Sequence, residues 1–81
     1  MKARIVKMNR PSRYMYQVKN VTIDKKYKYF VVTTKIYHHE IIQTIPFDDC
    51  DYIELYEDRT EYGMIVTDNK EKVIKVIRKD E

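Results

Sequence analysis

The sequence predicts an all-β protein, a small single-domain barrel or rolled antiparallel sheet of six to seven short strands. Three observations carry that expectation. The 81 residues include one Gly, two Pro, one Ala and eight Tyr, so the best helix former is nearly absent. Residues that suit a pleated, half-buried surface are abundant instead. Apolar residues alternate in short runs, and polar turn signals separate the runs at hairpin spacing.

The elements follow in order. The run from Tyr14 to Ile23 alternates first as Tyr14, Tyr16, Val18 and then as Val21, Ile23. That phase switch near Asn20 predicts a β-bulge, which re-aims side chains. Between Lys28 and Ile36, one face collects Phe30, Val32, Thr34 and Ile36, while Ile41, Ile45 and Phe47 form the next inward set, interrupted by Gln43. In Tyr52 to Tyr56, Ile53 and Leu55 face a core, Glu54 faces water, and Tyr52 and Tyr56 lie opposite the apolar pair as exposed tyrosines. Turns fall at Asn9-Arg10-Pro11-Ser12, Asp24-Lys25-Lys26, Asp48-Asp49 and Asp68-Asn69-Lys70.

The C-terminus admits two readings. Asp68 and Glu71 have capping-box spacing, and Val73, Val76 and Ile77 would stripe a short C-terminal helix. The run Val73 to Ile77 is dense in β-branched residues, which lose side-chain freedom in helices. A final hairpin of Met64 to Thr67 with Val73 to Ile77 is therefore the preferred reading.

Length and composition bound the function. The chain is near the lower limit for folding on one core, and residues 1–81 read as a single domain. Its apolar runs are only two or three residues, such as Phe30-Val31-Val32, against the roughly 20 that cross a bilayer. Met1-Lys2-Ala3-Arg4 is followed by no apolar leader. Cys50 is the single cysteine, so no intrachain disulfide forms, and a reducing cytoplasm fits best. The Ile, Lys and Tyr bias suggests the AT-rich coding sequence of a low-GC bacterium or its phage.

Charge is uneven along the chain. Residues 1–47 hold ten Lys/Arg and two acids, for +8, whereas residues 48–81 hold six Lys/Arg and eleven acids, for −5. In the basic half, Arg4, Lys7, Arg10, Arg13, Lys19, Lys25, Lys26 and Lys28 interleave with Tyr14, Tyr16 and Tyr27. Cations neutralise phosphates and rings offer stacking platforms, so these are the candidate nucleic-acid-binding residues. In the acidic segment, Asp48, Asp49, Asp51, Tyr52, Glu54, Tyr56, Glu57 and Asp58 are the candidate protein-binding residues, able to occupy a basic groove on a partner. The plainer expectation for both halves is that basic strands lie beside acidic ones and form cross-strand ion pairs.

Catalytic chemistry is not expected. His38-His39-Glu40 would point adjacent histidines to opposite faces of a strand, so they cannot share one ion. Asp48, Asp49 and Asp51 lack the glycine and the distant glutamate of a calcium loop and suit a turn. Ser12 has no neighbouring histidine. Acids around Cys50 raise its thiol pKa and weaken it as a nucleophile. One glycine, Gly63, leaves no phosphate-cradling loop. No enzyme activity, cofactor or metal is expected.

The words Ile23-Asp24, Phe30-Val31-Val32, Thr44-Ile45-Pro46-Phe47-Asp48-Asp49 and Ile53-Glu54 resemble the YolD-like family, small β-rich proteins of Firmicutes and their phages. The resemblance covers about residues 16–56. It departs in lacking a glycine before the first strand and in carrying Cys50 where an aliphatic residue is usual; residues 57–81 have no counterpart. It implies a small Sm-like or SH3-like barrel and transfers no site residues. The expectation is therefore a non-catalytic regulatory binding protein of phage or low-GC bacterial origin, which docks on a host protein and modulates or inhibits it. The alternative is a nucleic-acid-binding domain built on the basic half. No membrane is involved in either.

Overall fold

A computed structural model describes residues 1–57, 60–61, 64–65 and 72–80. The strands are β1 (Lys2–Val6), β2 (Arg13–Met15), β3 (Val18–Asp24), β4 (Tyr29–Ile36), β5 (His39–Pro46), β6 (Tyr52–Tyr56), β7 (Thr60–Glu61), β8 (Met64–Ile65) and β9 (Val73–Arg78), with a 3-10 turn over Phe47–Asp49. All pairings are antiparallel. One sheet has the order β2-β1-β6-β9, a second has β3-β4-β5, and β7 pairs with β8. The all-β class holds. The expected closed barrel does not: the two larger sheets remain separate, with β2, β9, β3 and β5 as their edge strands among the described residues.

The core lies between the two sheets because each strand turns one alternate set of side chains inward. β1 contributes Ala3 and Ile5, β3 Val18 and Val21, β4 Phe30 and Val32, β5 Ile45, β6 Ile53 and Leu55, and β9 Ile77. Phe30, Val32 and Ile53 are fully buried, each worth about 1.5–3 kcal/mol relative to exposure. Phe47 tilts against Phe30 with ring centroids 5.1 Å apart. Thr34 is the one buried polar residue among those described, and its hydroxyl donates to the Ile41 carbonyl at 3.4 Å.

The expected bulge is present. The β3–β4 register shifts between Val18 and Asn20, which lets Val18 and Val21, three residues apart, both face inward. The run expected from Tyr14 to Ile23 is nevertheless two strands in different sheets. Gln17, at φ 56°, turns the chain between them, and its carbonyl accepts from Lys35 N–H at 3.0 Å. Asn9, Lys28 and Tyr37 also occupy the left-handed region, at φ 66°, 59° and 58°. Asn tolerates that region, whereas Lys and Tyr meet a steric cost there.

Two further expectations change. Val73–Arg78 is a strand and not a helix, but its partner is β6, with Ile53 opposite Ile77, instead of the segment from Met64. Met64–Ile65 pairs with Thr60–Glu61. Thr67, the expected Asp68-Asn69-Lys70 turn and the capping-box positions lie outside the described residues. At the far end of the β4–β5 hairpin, Ile36 and Ile41 were expected inward and are 40% and 42% exposed.

Candidate functional site

The sheet β2-β1-β6-β9 brings the two charged halves of the sequence side by side. Across β1 and β6, Lys2 faces Tyr56, Arg4 faces Glu54 and Val6 faces Tyr52. These side chains stand on the outer face, opposite Ala3, Ile5, Ile53 and Leu55. The Arg4 guanidinium lies 3.6 Å from the Glu54 carboxylate, and its Nε donates to Ser12 Oγ at 3.1 Å. The Tyr56 hydroxyl donates to Glu54 Oε2. That bond raises the Tyr56 pKa, since removing its proton breaks the contact. The Lys2 ammonium sits over both Tyr14 and Tyr56, 5.1 and 5.3 Å from the ring centroids, and Arg78 lies 5.5 Å from the Tyr52 ring.

Beyond this face the pairing continues. Asp51 accepts from the Met8 backbone N–H at 2.7 Å and lies 3.4 Å from Lys7 Nζ and 3.5 Å from Lys79 Nζ. The backbone donor first, then the two ammoniums, hold its carboxyl below the usual range. Arg10 is 4.0 Å from Asp49, and Lys19 pairs with Glu40, whose pKa is lowered by that bond.

This arrangement disperses the predicted protein-binding set. Asp49, Asp51 and Glu54 are engaged internally. Tyr52 is half-buried and Tyr56 only 9% exposed, which corrects the expectation that they are the exposed tyrosines. Asp48 and Glu57 are exposed and make no ion pair among the described residues; Asp58 lies outside them. Among the described residues, the exposed tyrosines are Tyr14, Tyr16, Tyr27 and Tyr37.

The predicted nucleic-acid set is dispersed as well. Arg4, Lys7, Arg10 and Lys19 each have a carboxylate partner. Lys19 and Lys25 lie at opposite ends of β3, a seven-residue strand of about 20 Å. What stays together is the β3–β4 turn. Asp24 Oδ1 accepts from Lys26 and Tyr27 N–H at 3.0 Å each, an Asx turn that shapes the loop. There Tyr27 stacks on Tyr29 at 6.0 Å, with Lys26 over the Tyr27 ring and Lys25 and Lys28 exposed alongside. Arg13, Tyr14 and Tyr16 are exposed on or beside β2, away from that turn in the chain and in a different sheet.

Reactive groups do not converge among the described residues. His38 is in the β4–β5 turn and His39 on β5, and no three of His, Cys, Asp and Glu are placed to hold a metal ion. Asp48 and Asp49 sit in the 3-10 turn. Cys50 is fully buried, its thiol donating to the Tyr52 carbonyl at 3.2 Å. Burial, and only secondarily the charge of Asp51, pushes its pKa up; neighbouring acids as the main cause is thus corrected. No helix among the described residues is long and apolar enough to cross a membrane.

The β4–β5 hairpin supplies a surface that the charge pattern did not. Strand β5 exposes every residue except Ile45. Ile36, Ile41 and Ile42 are exposed around the turn residue Tyr37, which is 88% exposed. Thr34 lies opposite Ile41 and Thr33 opposite Ile42, so these two isoleucines stand on opposite faces of the hairpin. A sequence signal for this existed: adjacent apolar residues on one strand cannot both face a core.

Comparison with known proteins identifies no relative: no family model, curated protein or solved structure matches the chain.

Proposed function

We propose that this is a small non-catalytic binding domain that docks on another protein through the β4–β5 hairpin and thereby modulates it. The observation that carries the reading is the group Ile36, Tyr37, Ile41 and Ile42, apolar side chains left in solvent on both faces of one hairpin. Large apolar side chains exposed together at one hairpin end, in a chain so rich in charge, support an interaction site there. Tyr37 adds a large ring with few rotatable bonds, the kind of side chain that anchors interfaces. The acidic segment is the weaker candidate surface, since Asp49, Asp51 and Glu54 are paired within the chain and only Asp48 and Glu57 are exposed without an ion pair among the described residues.

Nucleic-acid binding keeps one supporting feature, the stacked Tyr27 and Tyr29 with the lysines of the β3–β4 turn. The two readings separate in one experiment. The tagged wild-type chain and the variants Tyr37→Ser and Ile42→Lys are compared for capture of a stoichiometric protein from low-GC bacterial lysate, and for retention of single-stranded DNA at low salt. Protein captured by wild type and lost by both folded variants is the expected result. DNA binding that falls steeply with salt, abolished by Lys26→Ala and Tyr27→Ala but indifferent to the hairpin variants, would overturn it.

A further inference from the structure

We infer that the seam between β2 and β5 accepts one extended acidic segment of a partner protein as an added β-strand. This rests on the reading that the domain binds protein, and it names a second contact and its chemistry.

The seam lies where an edge strand of each larger sheet borders one cleft. Among the described residues, strand β2 bonds only to β1, and β5 only to β4. Residues of both strands line one cleft of about 320 Å³, Arg13–Met15 from β2 and residues 43–46 from β5. Ile5 and Ile45, both core residues, line it as well. An edge strand presents a row of N–H and C=O groups that another extended chain satisfies. A strand added at either edge meets such a row, and within the cleft it would turn alternate side chains toward Ile5 and Ile45. The occupant that fits is an extended polypeptide with alternating apolar residues, the mode of strand addition.

The charge of the lining chooses among such segments. The cleft runs into a second one of about 550 Å³, with which it shares Ile5, Arg13 and Asp49. Lys7 and Arg10 also line this second cleft, so three cations stand against the single carboxylate of Asp49. Lys7 is bonded to Asp51, and Arg10 reaches Asp49 only at 4.0 Å. Arg13 is exposed and has no ion-pair partner among the described residues. A carboxylate-bearing end of the added strand would therefore meet Arg13 and Arg10. A nucleic acid offers phosphates to these cations but no alternating N–H and C=O ladder to the two edges, so it matches half of the site.

The test uses the whole chain and a short synthetic peptide of alternating valine and threonine ending in three glutamates. Controls are the same peptide with prolines at alternate positions, its lysine-ended counterpart and an oligothymidylate. In NMR titration the peptide is expected to shift the amides of Arg13, Tyr14 and Met15 together with those of Gln43, Thr44 and Ile45, and to slow their hydrogen exchange. The proline peptide, unable to pair, is expected to bind poorly. Arg13→Ala, the mild variant, should weaken binding by about two- to fivefold. Arg13→Glu should invert the preference toward the lysine-ended peptide.

Equal binding by the proline peptide or the oligothymidylate reduces the seam to a charged patch and overturns the inference. Absence of amide shifts at millimolar peptide overturns it too. So does protection of the seam that appears only as the chain dimerises, since the occupant would then be a second copy. If the seam fails while hairpin-dependent capture stands, the protein-binding reading survives without it.

Discussion

The outer face of β1 and β6 and the β4–β5 hairpin treat their side chains in opposite ways. On the first, unlike charges and tyrosines from distant parts of the chain satisfy one another: Arg4 with Glu54, Glu54 with Tyr56, Lys2 over Tyr14 and Tyr56. On the second, Tyr37, Ile41 and Ile42 stand in solvent. The face that looked chemically rich in sequence is thus occupied with holding two strands together. The hairpin keeps apolar side chains in solvent, whereas ion pairs within the sheet engage most of the charges on β1 and β6.

The sharpest way to test that contrast is to truncate one isoleucine in each region. Ile53, fully buried and opposite both Ile5 and Ile77, should lose about 2–5 kcal/mol of stability as Ile53→Ala in urea unfolding. Ile42→Ala, on the exposed hairpin, should stay within about 0.5 kcal/mol. Similar losses at the two positions would show that the hairpin is part of the core and end its candidacy as a free surface.

Tyr37 offers a smaller effect of opposite sign. Its φ of 58° places a bulky ring in the left-handed region, which costs roughly 1–2 kcal/mol for ordinary residues. Asn is at home there, so Tyr37→Asn should raise stability by about 0.5–1 kcal/mol while reducing capture of the partner. A strained residue that stabilises when replaced yet impairs binding is the signature of a position kept for function. A neutral or destabilising result would place Tyr37 among the structural residues instead.

The charged face gives the smallest signal, read through pH. The Asp51 carboxyl is held below its ordinary pKa by the Met8 N–H, Lys7 and Lys79, so the native state binds fewer protons than the unfolded chain in acid. Its contribution is complete above the unfolded aspartate value of about 3.9 and is lost as pH falls through the lower native value. Asp51→Asn should therefore make the acid limb of the stability profile shallower below about pH 4, at the expense of some stability at neutral pH. An unchanged acid limb would mean that the β1–β2 loop is held without this carboxylate.

Much of the fold is legible in particular residues. Ile53 and Leu55 alternate with Glu54, and the first two are buried. Val18 and Val21 are out of phase, and a register shift stands between them. The pairing of Val73–Arg78 is less legible, since its apolar pattern suits a hairpin with Met64–Ile65 as well as a place beside β6. The second wins because Ile77 then lies against Ile53. The binding surface is the least legible. Charge runs dominate the sequence, and only the adjacency of Ile41 and Ile42 hints that an apolar residue must be left outside.

What the chain's order of residues determined, then, is strand character and the inward set on most strands, because side-chain alternation is a two-residue property of extended backbone. Tertiary structure decided which strands became neighbours, which charges cancelled and that the two larger sheets stayed separate. Those outcomes depend on contacts such as Arg4 with Glu54 and Lys7 with Asp51, made between residues far apart in sequence. A local pattern specifies the face of a strand but not its partner, and register is chosen only when two faces meet across a common core.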